Sequence, residues 1–277
     1  MLSSAVEHYA TQARITALGL LAARRVRDES PDRLLAIMIG LQLAAATETL
    51  AAFEAMLAEQ GIDPSPAAEV RPEALVGVAS DGRDLGSLLQ LAATAAQFDM
   101  IVETQLQDVA RQAAAVSLGT HPQVTGYVRM VNPGACGRCV ILAGRWYRWS
   151  DGFQRHPRCA CRHIPAMEDA AGDFRTDPRE YFDSLTGAEQ DATFGKAGAE
   201  AIRLGADMGQ VVNARRGMST AQVSARSVLV TSEGTSRAGV AGRSGVRGAR
   251  LMPESILASA TSRDDAVRLL REYAYIT

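Results

Sequence analysis

Apolar residues recur at helical spacing in two long stretches at the start of the chain. Ala5, Tyr9, Ala13, Leu20 and Ala23 mark one between Leu2 and about Arg27, and Leu34, Ile37, Leu41, Ala45 and Phe53 mark another between Asp32 and Gln60. Ser30-Pro31-Asp32 reads as a stop and a restart. The serine can accept from a first-turn amide, and proline suits the first helical position, where an N–H has no partner anyway. Gly61 supplies the next stop, so the two helices are expected to fold back as an antiparallel hairpin. Ile62–Pro72 carries three prolines and reads as a loop. Asp81-Gly82-Arg83 is a turn, after which Asp84 or Ser87 starts a short helix through Leu91. Phe98, Ile101, Leu106, Val109 and Ala113 predict a helix over Gln97–Leu118, and Tyr127–Val131 alternates as the first strand.

Beyond residue 165 the pattern is shorter in period. Asp177-Pro178 opens a small helix, and Thr186–Met208 reads as one helix with a capping-box start. Ser219–Ala225 reads as a turn or helix. Ser236–Arg250 holds glycines at 239, 242, 245 and 248, arginines at 237, 243, 247 and 250, and no acid. Such a composition is expected to form an extended or flexible arm rather than a core. Met252-Pro253-Glu254 begins a last pair of helices. The expected fold is mainly α with a small α+β cysteine-rich element: an N-terminal helical hairpin, a helical middle, a compact Cys/His knuckle with short strands, and an extended C-terminal arm. The expected divisions are residues 1–75, a core of 76–235 that contains the segment 131–165, and 236–277.

Composition narrows the functional classes. Aromatics make up 5% of the 277 residues, and alanine and leucine supply most of the apolar surface, which favours packed helices. A formal net charge of −2 gives the whole molecule no general attraction for nucleic acid or anionic membrane. Lys196 is the only lysine. An arginine bias of this kind follows from a GC-rich genome, or from a need for bidentate contacts to carboxylate or phosphate. The N-terminus lacks the basic start and apolar run of a secretory signal. The stretch Leu34–Ala46 is too short and alanine-rich to span a bilayer, so a soluble intracellular protein without a membrane partner is expected.

All four cysteines, two of the four histidines and both tryptophans fall between Val131 and Pro165. Cys136 and Cys139 form a C-x2-C pair after Pro133-Gly134, and Cys159 and Cys161 form a C-x-C pair flanked by His156 and His163. Zinc takes four tetrahedral ligands, and C-x2-C lets two thiolates of one turn reach one ion. Four cysteines crowded together in an intracellular chain suggest metal before disulfides. In an extended C-x-C the two side chains point to opposite faces. The preferred donors are therefore Cys136, Cys139, His156 and either Cys159 or Cys161, with a tight turn at Pro157 bringing His156 and one cysteine inward together. Disulfides, or reduced thiols that merely pack, remain alternatives. Trp146, Tyr147 and Trp149 are expected to cover the site as a small satellite core, in preference to a base-stacking platform. A zinc deaminase would need H-x-E before P-C-x-x-C; here the C-x2-C comes first and no glutamate follows either histidine at that spacing. No catalytic residue is assigned.

The order C-x2-C, LAG, an aromatic patch, then F-x-R-H-P-x-C-x-C-R-H-I-P resembles the phage minor head proteins of the MuF-like (head-morphogenesis) family, actinophage branch. The matching positions are Cys136, Cys139, Gly144, His156, Pro157, Cys159, Cys161 and Pro165. Ser80–Leu89, Tyr181–Met218 and the final helices are similar too, so the likeness covers most of the chain beyond residue 75. It implies a structural protein present in several copies per virion, associated with the portal vertex and the inner capsid. Its implied partners are the portal protein and the major capsid protein; the basic arm itself, with Arg237, Arg243, Arg247 and Arg250, is read either as reaching packaged DNA or the inner shell, or as a solvated linker. It implies a role in assembly, packaging or delivery, with location in the virion, or in host cytoplasm before assembly. One structural zinc ion is the only cofactor the ligand types suggest. A reading from another class is a metal- or cysteine-dependent nuclease or effector delivered with the DNA, and a transcription-regulating zinc-ribbon module ranks below both.

Overall fold

The computed structural model describes residues 2–131, 134–152, 156–159, 161–167, 177–223 and 226–277. Pro133, Phe153 to Arg155, Ala160 and Ala225, which enter the sequence reading, lie outside them. The architecture is mainly α with two small sheets, as expected. The chain forms two compact units, one of residues 1–133 and 143–177 and one of 134–142 and 178–277.

In the first unit, α1 (Ser3–Val26) and α2 (Pro31–Glu59) form the expected antiparallel hairpin. Ser30 caps α2 by accepting from the Arg33 amide, with Pro31 at the first position. The start of α1 is capped from across the hairpin. Its Ser3 and Ser4 amides and hydroxyls all donate to the carboxylate of Glu59, at 2.5–2.9 Å. The short α3 (Leu85–Gln90) begins on Asp84, which accepts from the Ser87 amide. Helix α4 (Ala95–Thr120) starts two residues before the predicted point, because Thr94 and Gln97 form a capping box.

Three clusters run along this helical layer. Ala23, Met38, Leu85, Phe98, Val102 and Leu106 fill one end. At the middle Ala45 and Ala46 meet Val109 and Ala113, small side chains that let α2 and α4 approach closely. Phe53, Leu57, Ala114, Leu118 and Tyr127 fill the other end. Each fully buried Phe, Leu or Met contributes about 1.5–3 kcal/mol. Taken at full length α2 is apolar enough to cross a membrane, which the shorter Leu34–Ala46 is not. In the fold Leu34, Met38, Phe53 and Leu57 on its length are instead buried in these clusters.

An antiparallel sheet in the order β2-β1-β3 completes the unit, formed by β1 (Gly126–Met130), β2 (Trp146–Arg148) and β3 (Arg162–Ala166). Val128, Met130 and Ile164 pack with Ala5 and Met56 of the hairpin. Gly126 is required at its place, because a Cβ there would lie 2.1 Å from the Tyr147 carbonyl oxygen and 2.5 Å from the Trp146 ring.

The second unit contains α5 (Gly137–Val140), α6 (Pro178–Ser184), α7 (Gly187–Phe194), α8 (Lys196–Arg203) and α9 (Met208–Ala214). It continues with a hairpin of β4 (Met218–Val223) and β5 (Arg226–Thr231), then α10 (Val240–Arg243), β6 (Arg250–Leu251), α11 (Pro253–Ser259) and α12 (Arg263–Glu272). Three sequence expectations change here. The single helix over 186–208 is broken at Gly195, whose φ of 76° no helix continues, and it stops again at Gly205. Where a turn or helix was expected over 219–225, residues 219–223 lie in strand β4, paired residue for residue with β5.

The segment 236–250 is not an extended arm. Ala241 and Arg250 are 0% and 1% exposed, and the segment carries α10 and the start of β6. Arg250 donates to the carbonyls of Tyr273 and Ala274 and to Gln210 Oε1, and lies 4.3 Å over the Tyr275 ring. These partners lie 23 to 40 residues away in sequence, so local composition does not register them.

Candidate metal centre

Cys136 precedes α5 and Cys139 sits inside it. The amides of Cys139 and Val140 both donate to the Cys136 carbonyl, which closes a tight loop and places the two sulfurs 3.5 Å apart. Two thiolates on one tetrahedral zinc, each at about 2.3 Å, would be about 3.8 Å apart. The loop is held on its own unit through Gly137, where a Cβ would lie 3.1 Å from Phe194 and 3.2 Å from Val212.

His156, Cys159 and Cys161 belong to the first unit. The predicted tight turn is present: the Cys159 amide donates to the His156 carbonyl, and Arg158 adopts a left-handed φ of 62°. Two contacts hold that strained residue. Its amide donates to Thr104 Oγ1 at 3.0 Å, and its guanidinium pairs with Glu103 at 2.5 Å. His156 Nδ1 sits 2.7 Å from the Pro157 carbonyl oxygen. That contact puts the proton on Nδ1 and leaves Nε2 as the ligand atom, the arrangement usual for a metal-bound imidazole.

Strand β3 begins only at Arg162, so Cys159 and Cys161 are not in extended strand and do not point to opposite faces. Both are buried, at 1% and 2% exposure. Within the first unit the sulfurs of Cys159 and Cys161 lie within 4.8 Å of one another. The predicted donors divide between the units, Cys136 and Cys139 in the second and His156, Cys159 and Cys161 in the first. None of the four cysteines is in a disulfide. Thiolates and an imidazole are the donor types that could bind a metal ion.

Sequence reasoning missed the groups around Cys159 and Cys161. Arg111 of α4 is 2% exposed; its Nη1 donates to the carbonyls of both cysteines, and its Nη2 donates to Asp108. Arg162 is 5% exposed, and burial, then the nearby Arg111, pull its guanidinium down to about 10. The aromatic expectation holds only in part. Trp146 packs with Val128, Met130 and Ile164, and Tyr147 stacks on Tyr127 at 5.4 Å, so both build the sheet's core. Trp149 is 57% exposed. His163 lies against the Tyr127 ring at 4.2 Å, and with Trp149, Asp151 and Arg111 it lines a cavity of about 280 Å³.

The four arginines grouped by sequence separate into two kinds. Arg250 is buried structure, whereas Arg237, Arg243 and Arg247 are exposed and have no carboxylate within ion-pair distance among the described residues. Arg243 and Arg247 donate to the Ala238 and Gly242 carbonyls, which fixes their stems on the loop.

The sequence profile of the VG15 protein family matches residues 3–188, a span that includes every cysteine and all three strands of the first unit's sheet. The chain belongs to the VG15 protein family. That family is phage-associated, so this VG15 protein is a phage protein. No curated protein and no solved structure matches the chain.

Proposed function

We propose that this VG15-family protein is a structural minor head protein of a tailed phage, docking at the portal or inner capsid and assisting assembly, packaging or DNA delivery. The observation that carries the reading is the donor block itself. C-x2-C followed by H-P-x-C-x-C resembles the block of the MuF-like head-morphogenesis proteins, and the chain belongs to a phage family. In this reading the cysteine–histidine cluster holds one structural zinc ion and acts as a staple, not a reaction centre. The exposed Arg237, Arg243 and Arg247 meet DNA phosphates without reading sequence.

The deciding experiment is an amber mutation in the phage gene, with mass spectrometry of purified heads. The protein is expected in wild-type heads at a fixed ratio to portal, and absent from heads assembled without portal. A protein found only in the soluble lysate overturns the reading. The nuclease alternative makes the opposite claim: DNA cleavage by the purified protein that Cys136→Ser and Cys159→Ser abolish while head incorporation persists. Elemental analysis of the purified protein tests the metal, with one zinc per chain expected.

A further inference from the structure

Helix α1 packs into the first unit through one side only. Ala5, His8, Gln12, Gly19, Ala23 and Val26 are its buried residues, and at about 100° per residue they fall on a single side of the helix. On the opposite side stand Val6, Ala10, Ala13, Ala17, Leu18 and Leu21, all exposed. Val6, Leu18 and Leu21 are 50%, 64% and 60% exposed. Solvent-facing helix sides normally carry polar residues. A single exposed leucine needs no explanation, but a continuous apolar strip marks a contact surface.

The strip differs between its ends in both bulk and charge. Towards its start it carries the small Ala10 and the acid Glu7; towards its end it carries Leu18, Leu21 and the base Arg25. Glu7 and Arg25 are exposed on the same shoulder of the helix and have no ion pair among the described residues. Arg24, on the other shoulder, is taken by Asp99 at 2.6 Å. Arg14 stands mid-way, near the Thr11 hydroxyl at 3.3 Å. Its long stem can lie along an apolar surface while the guanidinium stays at the rim. Such a face is complementary to itself in one orientation. Laid parallel, two copies would set Glu7 against Glu7 and Arg25 against Arg25; laid antiparallel, they bring acid to base and large to small.

We propose that the outer face of α1 is a self-association surface, pairing antiparallel with α1 of a second copy of this chain about a two-fold axis near Ile15 and Thr16. Leu21 then lies over the partner's Ala10, and Leu18 lies along the stem of the partner's Arg14. Arg25 comes beside the partner's Glu7, and the two-fold axis repeats each contact. One pair of helices buries less than the roughly 1,200–2,000 Å² of a stable interface, so the dimer is weak and forms where copies are concentrated. The inference goes beyond the head-protein reading and does not depend on the cysteines.

The test is sedimentation velocity on the full chain, purified reduced, from about 1 µM to about 1 mM, a range that brackets weak association. A monomer–dimer equilibrium is expected. The double variant Leu18→Glu, Leu21→Glu changes exposed side chains, so circular dichroism should be unaltered while the dimer Kd rises by at least about 100-fold. Leu91→Glu, at a position 63% exposed outside this face, should leave Kd unchanged. Glu7→Arg and Arg25→Glu should each weaken the dimer by about 2–30-fold, the range for two exposed ion pairs, and the two together should restore it. Glu7 and Arg25 sit at opposite ends of α1, about 27 Å apart at 1.5 Å per residue, so rescue can come only from the second copy. A chain that is monomeric over the whole range overturns the inference. So does a dimer that the leucine variant leaves intact, or a charge exchange that fails to restore association. A monomeric chain whose leucine variant is lost from purified heads gives the face to the portal or shell instead, and overturns it as well.

Discussion

Gly126→Ala is the substitution whose effect the structure specifies most sharply. Gly126 opens β1 and faces Arg148 across the ladder to β2, followed by the pairs Tyr127 with Tyr147 and Val128 with Trp146. Its φ is not in the left-handed region, so backbone freedom is not why glycine stands there. Space is. A methyl group would lie 2.1 Å from the Tyr147 carbonyl oxygen and 2.5 and 2.7 Å from two atoms of the Trp146 ring. The ring can rotate, but the carbonyl is backbone and can move only if β2 lifts away from β1. Overpacking of this kind costs about 1–3 kcal/mol. Losing one or two ladder hydrogen bonds adds about 1 kcal/mol each. The sum is about 2–5 kcal/mol, and at about 2–4 °C per kcal/mol for a unit of this size the melting temperature should fall by about 4–20 °C. Thermal unfolding followed by circular dichroism measures it, with tryptophan fluorescence reporting on Trp146. Adding Trp146→Ala should not rescue the variant, because the tighter of the two clashes is with backbone. Gly119→Ala, where the new methyl meets nothing within 4 Å, should be neutral or up to about 1 kcal/mol stabilising. A Gly126→Ala protein within 0.5 kcal/mol of wild type, the usual range for an innocuous surface change, would refute the reasoning.

Three further outcomes follow from particular contacts. The Ser4 hydroxyl and amide, with the Ser3 amide, hold the Glu59 carboxylate down at about 2 from its ordinary 4.5. A depressed carboxylate stabilises above its unfolded value and loses that contribution as pH falls. Urea midpoints should therefore drop between about pH 4.5 and 2, and Glu59→Gln should flatten that part of the profile. Arg250→Met removes three donor contacts and a ring contact from the second unit, and should cost about 2–4 kcal/mol in chemical unfolding. Replacing Arg237, Arg243 and Arg247 together by Gln should leave the fold intact. It should also flatten the dependence of DNA affinity on salt by about 2.7 in log–log slope, the figure for three phosphate contacts; an unchanged slope in fluorescence anisotropy would show that these arginines do not meet phosphate.

Much of the helical layer was legible because its boundaries are written locally. Ser30-Pro31, Asp84, Thr94 with Gln97, and Thr186 with Glu189 all cap in the structure through residues three apart or fewer. The C-x2-C loop and the turn at Pro157 were legible for the same reason, since each closes within four residues. What escaped was held by distant partners. Strand β4 shows little apolar alternation, and most of its residues are exposed. Its pairing partner β5, with Val228 and Val230, did carry a β-branched signal. Arg111 lies 48 residues from Cys159 in an alanine-rich helix, and nothing local distinguishes it from a solvated arginine. Glu59 caps a helix that begins 56 residues before it. Gly195 breaks its helix through a positive φ of 76°, which the apolar periodicity on either side of it hides.

The glycines of the 236–250 loop carry a consequence for how its arginines act. A Cβ on Gly239 would lie 2.2 Å from the Gly234 carbonyl oxygen, and one on Gly242 would lie 1.7 Å from that of Ser236. These residues are small because the loop folds tightly on itself, not because it must move. The exposed guanidiniums are consequently carried on a fixed frame with set spacing. A polyanion meeting them finds the ordering of the backbone already done, so little conformational entropy is lost on contact. A flexible tail of the same composition would offer the same charge but lose more freedom on binding, and it would have no preferred geometry. Here a glycine–arginine sequence that reads as loose chain encodes a rigid, positively charged edge.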